Sequence, residues 1–148
     1  MSRVPLSDNE TRVIFAGECE SNLAALEGRE QRAVLNRLLS IVENPSNPRA
    51  FVHERIQNLD IITAGDQIRL YSRVVEDIPQ GDSVFHVIYI FYIDDDHDYQ
   101  NYELSTYSVE AQNLVEIVTA LELVSDVEEY FEEMNALDAD DLRDLLDR

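Results

Sequence analysis

In the run Gln67-Ile68-Arg69-Leu70-Tyr71-Ser72-Arg73-Val74, apolar Ile68, Leu70 and Val74 alternate with Arg69, Tyr71 and Arg73. Successive side chains of an extended strand leave on opposite faces, so one face is core and the other presents two guanidinium groups. Guanidinium donors two pleats apart suit an anion, above all a phosphate or a carboxylate. They equally suit an exposed strand face that pairs with Asp and Glu across a sheet. The other reactive residue types read as structural. Cys19 is the single cysteine, which excludes an intrachain disulfide and a cysteine zinc cluster and leaves a structural thiol. His86, inside an apolar strand, reads as a hydrogen-bonded core histidine, and His53 as a surface residue. Asp94-Asp95-Asp96-His97-Asp98 offers hard oxygen ligands but lacks the glycine and the final bidentate Glu of a calcium loop. A solvated acidic loop is expected there, with no metal and no cofactor.

The elements that must position the arginines follow from pattern. Thr11 to Ala16 is β-branched and reads as a first strand. Helical spacing follows from Gly17 to Gly28 and again from Arg29 to Glu43, where Leu35, Leu38, Leu39 and Val42 form a stripe. Asn44-Pro45 ends that helix, because the residue before proline avoids helical geometry. Phe51 to Thr63 reads as one strand, joined at Ala64-Gly65-Asp66 to the arginine strand. Ile78-Pro79-Gln80-Gly81-Asp82 turns the chain into Val84 to Ile93, apolar on both faces and therefore central. Tyr99 to Tyr107 alternates as a short edge strand. Three helices are expected after it, one capped by Ser108, one opened by a Ser125 and Glu128 capping box, and one capped by Asp138 with Leu137 and Leu142 as a staple. The fold class is α+β, with a core over 1–103 and a helical extension over 104–148 that packs on the core or on a partner.

Among 148 residues, 31 acids against 11 basic residues give a formal net charge of -20, and every basic residue is Arg. Up to Ile93, nine Arg meet thirteen acids, a net of -4; from Asp94 onward two Arg meet eighteen acids, a net of -16. Carboxylate excess without lysine suits a protein kept soluble in concentrated salt and points to a halophile, an archaeon. The alternative is an acidic interaction tail on an ordinary protein. No apolar run is long enough to span a bilayer and no signal-peptide order opens the chain, so the expectation is a cytoplasmic protein without a membrane partner. Phosphate-loop, Gly-x-Ser-x-Gly and His-Glu-x-x-His motifs are absent from the sequence.

Several fragments in order resemble the RelE/ParE superfamily of toxins from toxin-antitoxin modules: Val13-Ile14-Phe15-Ala16, then Glu18 with Leu23 and Leu26, then an amphipathic helix closed by Glu43-Asn44-Pro45. Gly65-Asp66-Gln67-Ile68-Arg69-Leu70-Tyr71 and the strand Val84 to Ile93 complete the set, which covers about two thirds of the chain. The resemblance implies a RelE/ParE-like antiparallel sheet with two N-terminal helices packed on it. It implies a toxin that cleaves messenger RNA on the ribosome or poisons gyrase, held by an antitoxin protein. As a metal-independent ribonuclease, such a fold needs a base, an acid and cationic donors. By analogy Arg69 holds phosphate, Arg73 is a second donor, His97 and Tyr99 contact substrate, and Glu54 is a general base. Two departures count against a potent nuclease. Thr63 and the Asp94 to Asp98 run stand where the family usually carries Lys or Arg, and carboxylates repel a phosphodiester. The second reading is therefore a non-catalytic interaction protein that keeps the fold, its C-terminal helices serving homodimerisation or a partner. A third consideration is that the acidic segment could fold over Arg69 and Arg73, where an antitoxin helix would lie.

Overall fold

A strand with apolar side chains on both faces can be stable only between two covering layers, and the chain supplies both. The computed structural model describes residues 10–17, 19–44, 48–65, 67–80, 83–94, 104–121 and 123–147. The elements run β1 (Glu10–Phe15), α1 (Cys19–Ala25), α2 (Gly28–Val42), a 3-10 turn (Pro48–Phe51), β2 (Val52–Ile56), β3 (Leu59–Ala64), β4 (Ile68–Gln80), β5 (Ser83–Asp94), α3 (Leu104–Thr119), α4 (Val124–Glu133) and α5 (Ala139–Leu146). The five strands form one sheet in the order β1-β5-β4-β3-β2. The α+β class is as expected.

The sheet is mixed rather than antiparallel, because β1 pairs with β5 in parallel while the other pairs are antiparallel. The cause lies in residues 51–64, which form a hairpin of two strands instead of the single strand expected. Gln57, at φ 55°, turns it. Each hairpin reverses the chain, so one more hairpin inverts the sense of the last strand relative to the first. The β3–β4 turn relies on Gly65, at φ +59°, where an added Cβ would lie 3.3 Å from the Ala33 Cβ. Only glycine combines that φ with so close an approach at no steric cost.

On one face of the sheet Tyr71, Val75, Phe85, Val87, Tyr89 and Phe91 pack against α3 and α4. On the other, Ile62, Leu70, Val74, Ile88 and Ile90 pack against α1, α2 and α5. The alternation read in β4 is therefore correct, with Ile68, Leu70 and Val74 beneath α2 and Arg69, Tyr71 and Arg73 on the face that α3 crosses. A bulge opposite Tyr71 and Ser72 makes Phe91 an extra residue of β5 and turns it and Tyr92 to the same side, where Tyr107 stacks on both at 6.4 and 5.9 Å.

Several boundaries differ from expectation, among them the turn expected over Ile78 to Asp82, whose Ile78, Pro79 and Gln80 are the end of β4. Leu104 to Tyr107 is the first turn of α3 and not a strand; the rest of the expected edge strand lies outside the described residues. Ser108 is buried inside α3, where its Oγ accepts from the Asn58 N–H at 3.1 Å, so tertiary contact and not capping uses its hydroxyl. Ser125 sits within α4, whose N-cap is Leu123. β5 runs on through Asp94, which is 2% exposed, so this carboxylate belongs to the strand and not to a solvated loop. The Asp138 cap is as expected: its Oδ1 accepts from the Asp141 N–H at 2.9 Å and the Asp141 carboxylate returns the bond.

Leu137, just before that cap, exchanges two backbone hydrogen bonds with Val13, of 2.9 and 2.7 Å, and so pairs with the outer edge of β1. Leu142 is fully buried in the core shared with α2. Urea denaturation should therefore show Leu142→Ala losing about 2–5 kcal/mol through transfer and cavity terms, and Asp138→Ala only about 1 kcal/mol through the lost cap.

Candidate functional site

The arginine face is built by β2, β3, β4 and the end of β5, with α3 above it. Arg69 stands at the start of β4, opposite Thr63 of β3 and Asp94 of β5 in the ladders. Its Nη1 lies 3.7 Å from Oε1 of Glu54 on β2. Two of the residues expected at the site are thus brought together, as an ion pair. Each neutralises the charge that the other would offer to a phosphate or a proton.

Arg73 is on the same face but across Tyr71, whose ring packs on Tyr92 at 5.9 Å. The Arg73 Nη1 donates to the Asn58 carbonyl at 3.2 Å, and its Nε is buried with no hydrogen-bond partner. The same Asn58 gives its N–H to Ser108, so the β2–β3 turn ties Arg73 and α3 together. Arg69 and Arg73 thus engage different partners, Glu54 and the Asn58 carbonyl, with Tyr71 between them along the strand and Tyr92 packed on Tyr71 and stacked with Tyr107. His97 and Tyr99 lie outside the described residues, in the segment that leaves β5 at Asp94, directly across from Arg69.

His86 is 1% exposed, and its Nδ1 accepts the Asp77 N–H at 2.9 Å. Asp77, at φ 56°, sits where the β4–β5 register shifts between Val75 and Ile78, and the ring satisfies the amide that the bulge turns out of the ladder. A core histidine is the role expected of it.

A charge cluster gathers around one buried carboxylate, Asp60. Asp60 is fully buried on β3; its Oδ2 accepts the Val74 N–H at 2.8 Å and its carbonyl accepts the Ser72 hydroxyl at 2.6 Å. Its Oδ1 lies 3.7 Å from both Arg49 and Arg55, while Arg49 Nε pairs with Glu76 at 2.8 Å. The partners are scattered over the sequence, and the one local signal was an Asp inside the apolar run Leu59 to Ile62. On the side covered by α1, α2 and α5, a recess of about 510 Å³ is lined by Phe15, Leu23, Leu35, Leu137 and Leu145 with Glu20, Gln31 and Asn135. Among the described residues no group of three or more His, Cys, Asp and Glu could hold a metal ion, and no helix is long and apolar enough to cross a membrane.

Comparison of the chain with family models, with curated proteins and with solved structures finds no match.

Cys19 is fully buried at the start of α1. Burial, with a smaller contribution from the neighbouring Glu20 carboxylate, pushes its thiol up from 9.0 to about 12. The folded chain keeps this proton after the unfolded chain has lost it, so stability is full below pH 9.0 and falls as pH rises toward about 12. Iodoacetamide labelling should be slow on the folded protein at pH 8–9, at about the ordinary thiol pKa, and fast once denaturant unfolds it. Rapid labelling of the native chain would contradict the burial.

Proposed function

We propose that this chain is a non-catalytic, protein-binding relative of the RelE/ParE type, working in the cytoplasm of a salt-adapted organism. The observation that carries this reading is the position of α3. It crosses the face that bears Arg69 and Arg73, fixed there by the Asn58 to Ser108 hydrogen bond and by Tyr107 stacked on Phe91 and Tyr92. RNA cleavage would need that face open to a phosphodiester and cationic in sum. Here Arg69 is paired with Glu54, Asp94 stands beside it, and the whole chain carries -20.

The toxin reading, a ribonuclease or translation inhibitor held by an antitoxin, is second. One observation favours it: β5 ends at Asp94, opposite Arg69, which is 19% exposed, and His97 follows three residues later in the sequence and Tyr99 five. Induced expression of the wild-type chain and of Arg69→Ala with Arg73→Ala in a salt-tolerant host separates the two. Normal growth at verified soluble expression, with no cleaved messenger RNA, is the expected result. Growth arrest by the wild type that the double substitution relieves would overturn the interaction reading in favour of the toxin.

A further inference from the structure

Among the longer described helices, α3 has an outer face with almost no charge. Between Ser105 and Ala120 the exposed side chains include one carboxylate, Glu116, and no cation. Even Glu116 is engaged within the helix, its Oε1 accepting from the Gln112 amide at 3.3 Å. Glu110 leaves the helix on the flank, where its carboxylate lies 3.9 Å from the Cβ position of Gly17 at the end of β1. By contrast α4, only ten residues long, holds Asp126, Glu128, Glu129, Glu132 and Glu133. Neutral surface on a chain with 31 acids in 148 residues calls for a physical reason, and so do the apolar side chains on it. Val109 is 62% exposed, Ile117 49%, and Leu123, just beyond the helix, 61%.

At 3.6 residues per turn, Thr106, Val109, Asn113, Ile117 and Ala120 line a single stripe centred on Asn113. We propose that this stripe is an isologous interface joining two copies of this chain, an inference that rests on reading the chain as an interaction protein and names its partner. Charge selects the occupant. Two molecules of net charge -20 repel each other wherever carboxylates face carboxylates, and this described face, with only Glu116 and Glu110 on its two flanks, meets its own copy with less repulsion than α4, which carries five acids, would. The stripe is also self-complementary. An antiparallel crossing at Asn113 sets Val109 against the partner's Ile117 and the reverse, and brings together two Asn113 amides, each both donor and acceptor. A 16-residue helix is about 24 Å long, and one helix pair covers less than the roughly 800 Å² per partner of a standard interface. The dimer is therefore reversible, and it tightens in salt, which screens the repulsion between the remaining surfaces.

Sedimentation velocity of the full chain tests this at about 0.1 M and about 1 M salt, where the screening length falls from about 10 Å to about 3 Å. The wild type should shift from monomer toward dimer mass as salt and concentration rise. Val109→Glu with Ile117→Glu should remain monomeric in both salts with an unchanged denaturation midpoint, since both positions are exposed. Arg32→Glu, on the exposed side of α2, alters net charge by the same amount and should still dimerise. A wild type that stays monomeric at high salt, leaving the face to some other protein, overturns the proposal; so does a dimer that survives the double substitution. The growth assay reads the other question separately. A toxic dimer would overturn the functional reading and leave the interface, and an inert monomer would do the reverse.

Discussion

The protein depends on β5 being buried from both sides. Phe85, Val87, Tyr89 and Phe91 face one layer of helices and Ile88 and Ile90 the other, all of them nearly or fully buried. Burying apolar area at roughly 25 cal/mol per Å² makes two covering layers obligatory for such a strand. The N-terminal helices can cover one face only. The C-terminal helices must supply the second layer, and in doing so they close the face that bears the arginines. Ile14 of β1 and Ala16 just beyond it join the same core as Val118, Val127 and Tyr130. The segment that reads as an appendage in the sequence is thus half of the hydrophobic interior.

Polar groups inside this interior are matched in ways that fix geometry rather than supply reactivity. The Tyr89 and Tyr130 hydroxyls lie 2.6 Å apart, and burial pushes both phenols up. The α4 helix is thereby registered on the central strand, with Phe131 edge-on to Phe85 at 5.6 Å and beneath the Arg12 guanidinium at 5.5 Å. Asp60 performs the equivalent task on the opposite face. Its carboxylate replaces a missing acceptor for the Val74 amide and gathers Arg49 and Arg55 at the sheet edge. Removing either arginine leaves the buried Asp60 carboxylate less compensated, which is why these arginines are better understood as scaffold than as anion donors.

The charge pattern separates scaffold from surface. The acids are concentrated on α4 and α5 and on the rims, where Arg143 bridges Asp140 to Glu43 and so joins α5 to the end of α2. On α3 the described outer face is instead amide, hydroxyl and aliphatic apart from Glu116. A solvated carboxylate shell explains the first distribution, and it leaves the second in need of another cause.

Composition and periodicity were enough to establish the α+β class, the centrality of Val84 to Ile93, the two faces of the arginine strand, α2, and the Asp138 cap, because each depends on neighbours within a turn or a pleat. The hairpin at Gln57 was not legible. Its turn has no glycine or proline, and its second strand merges with the first in one weak apolar run. The sense of β1 followed from that hairpin, so it could not be read either. Ser108 and Ser125 looked like caps because a hydroxyl before an apolar stripe is a local signal, whereas Ser108 answers to Asn58, fifty residues away. Alternation alone shows that Arg69 and Arg73 face one way, but a strand pattern does not say what lies above the strand. Only the packing of α3 decided that they stand under a helix, paired with Glu54 and the Asn58 carbonyl, because burial of β5 is a demand of the whole sheet and not of any one segment.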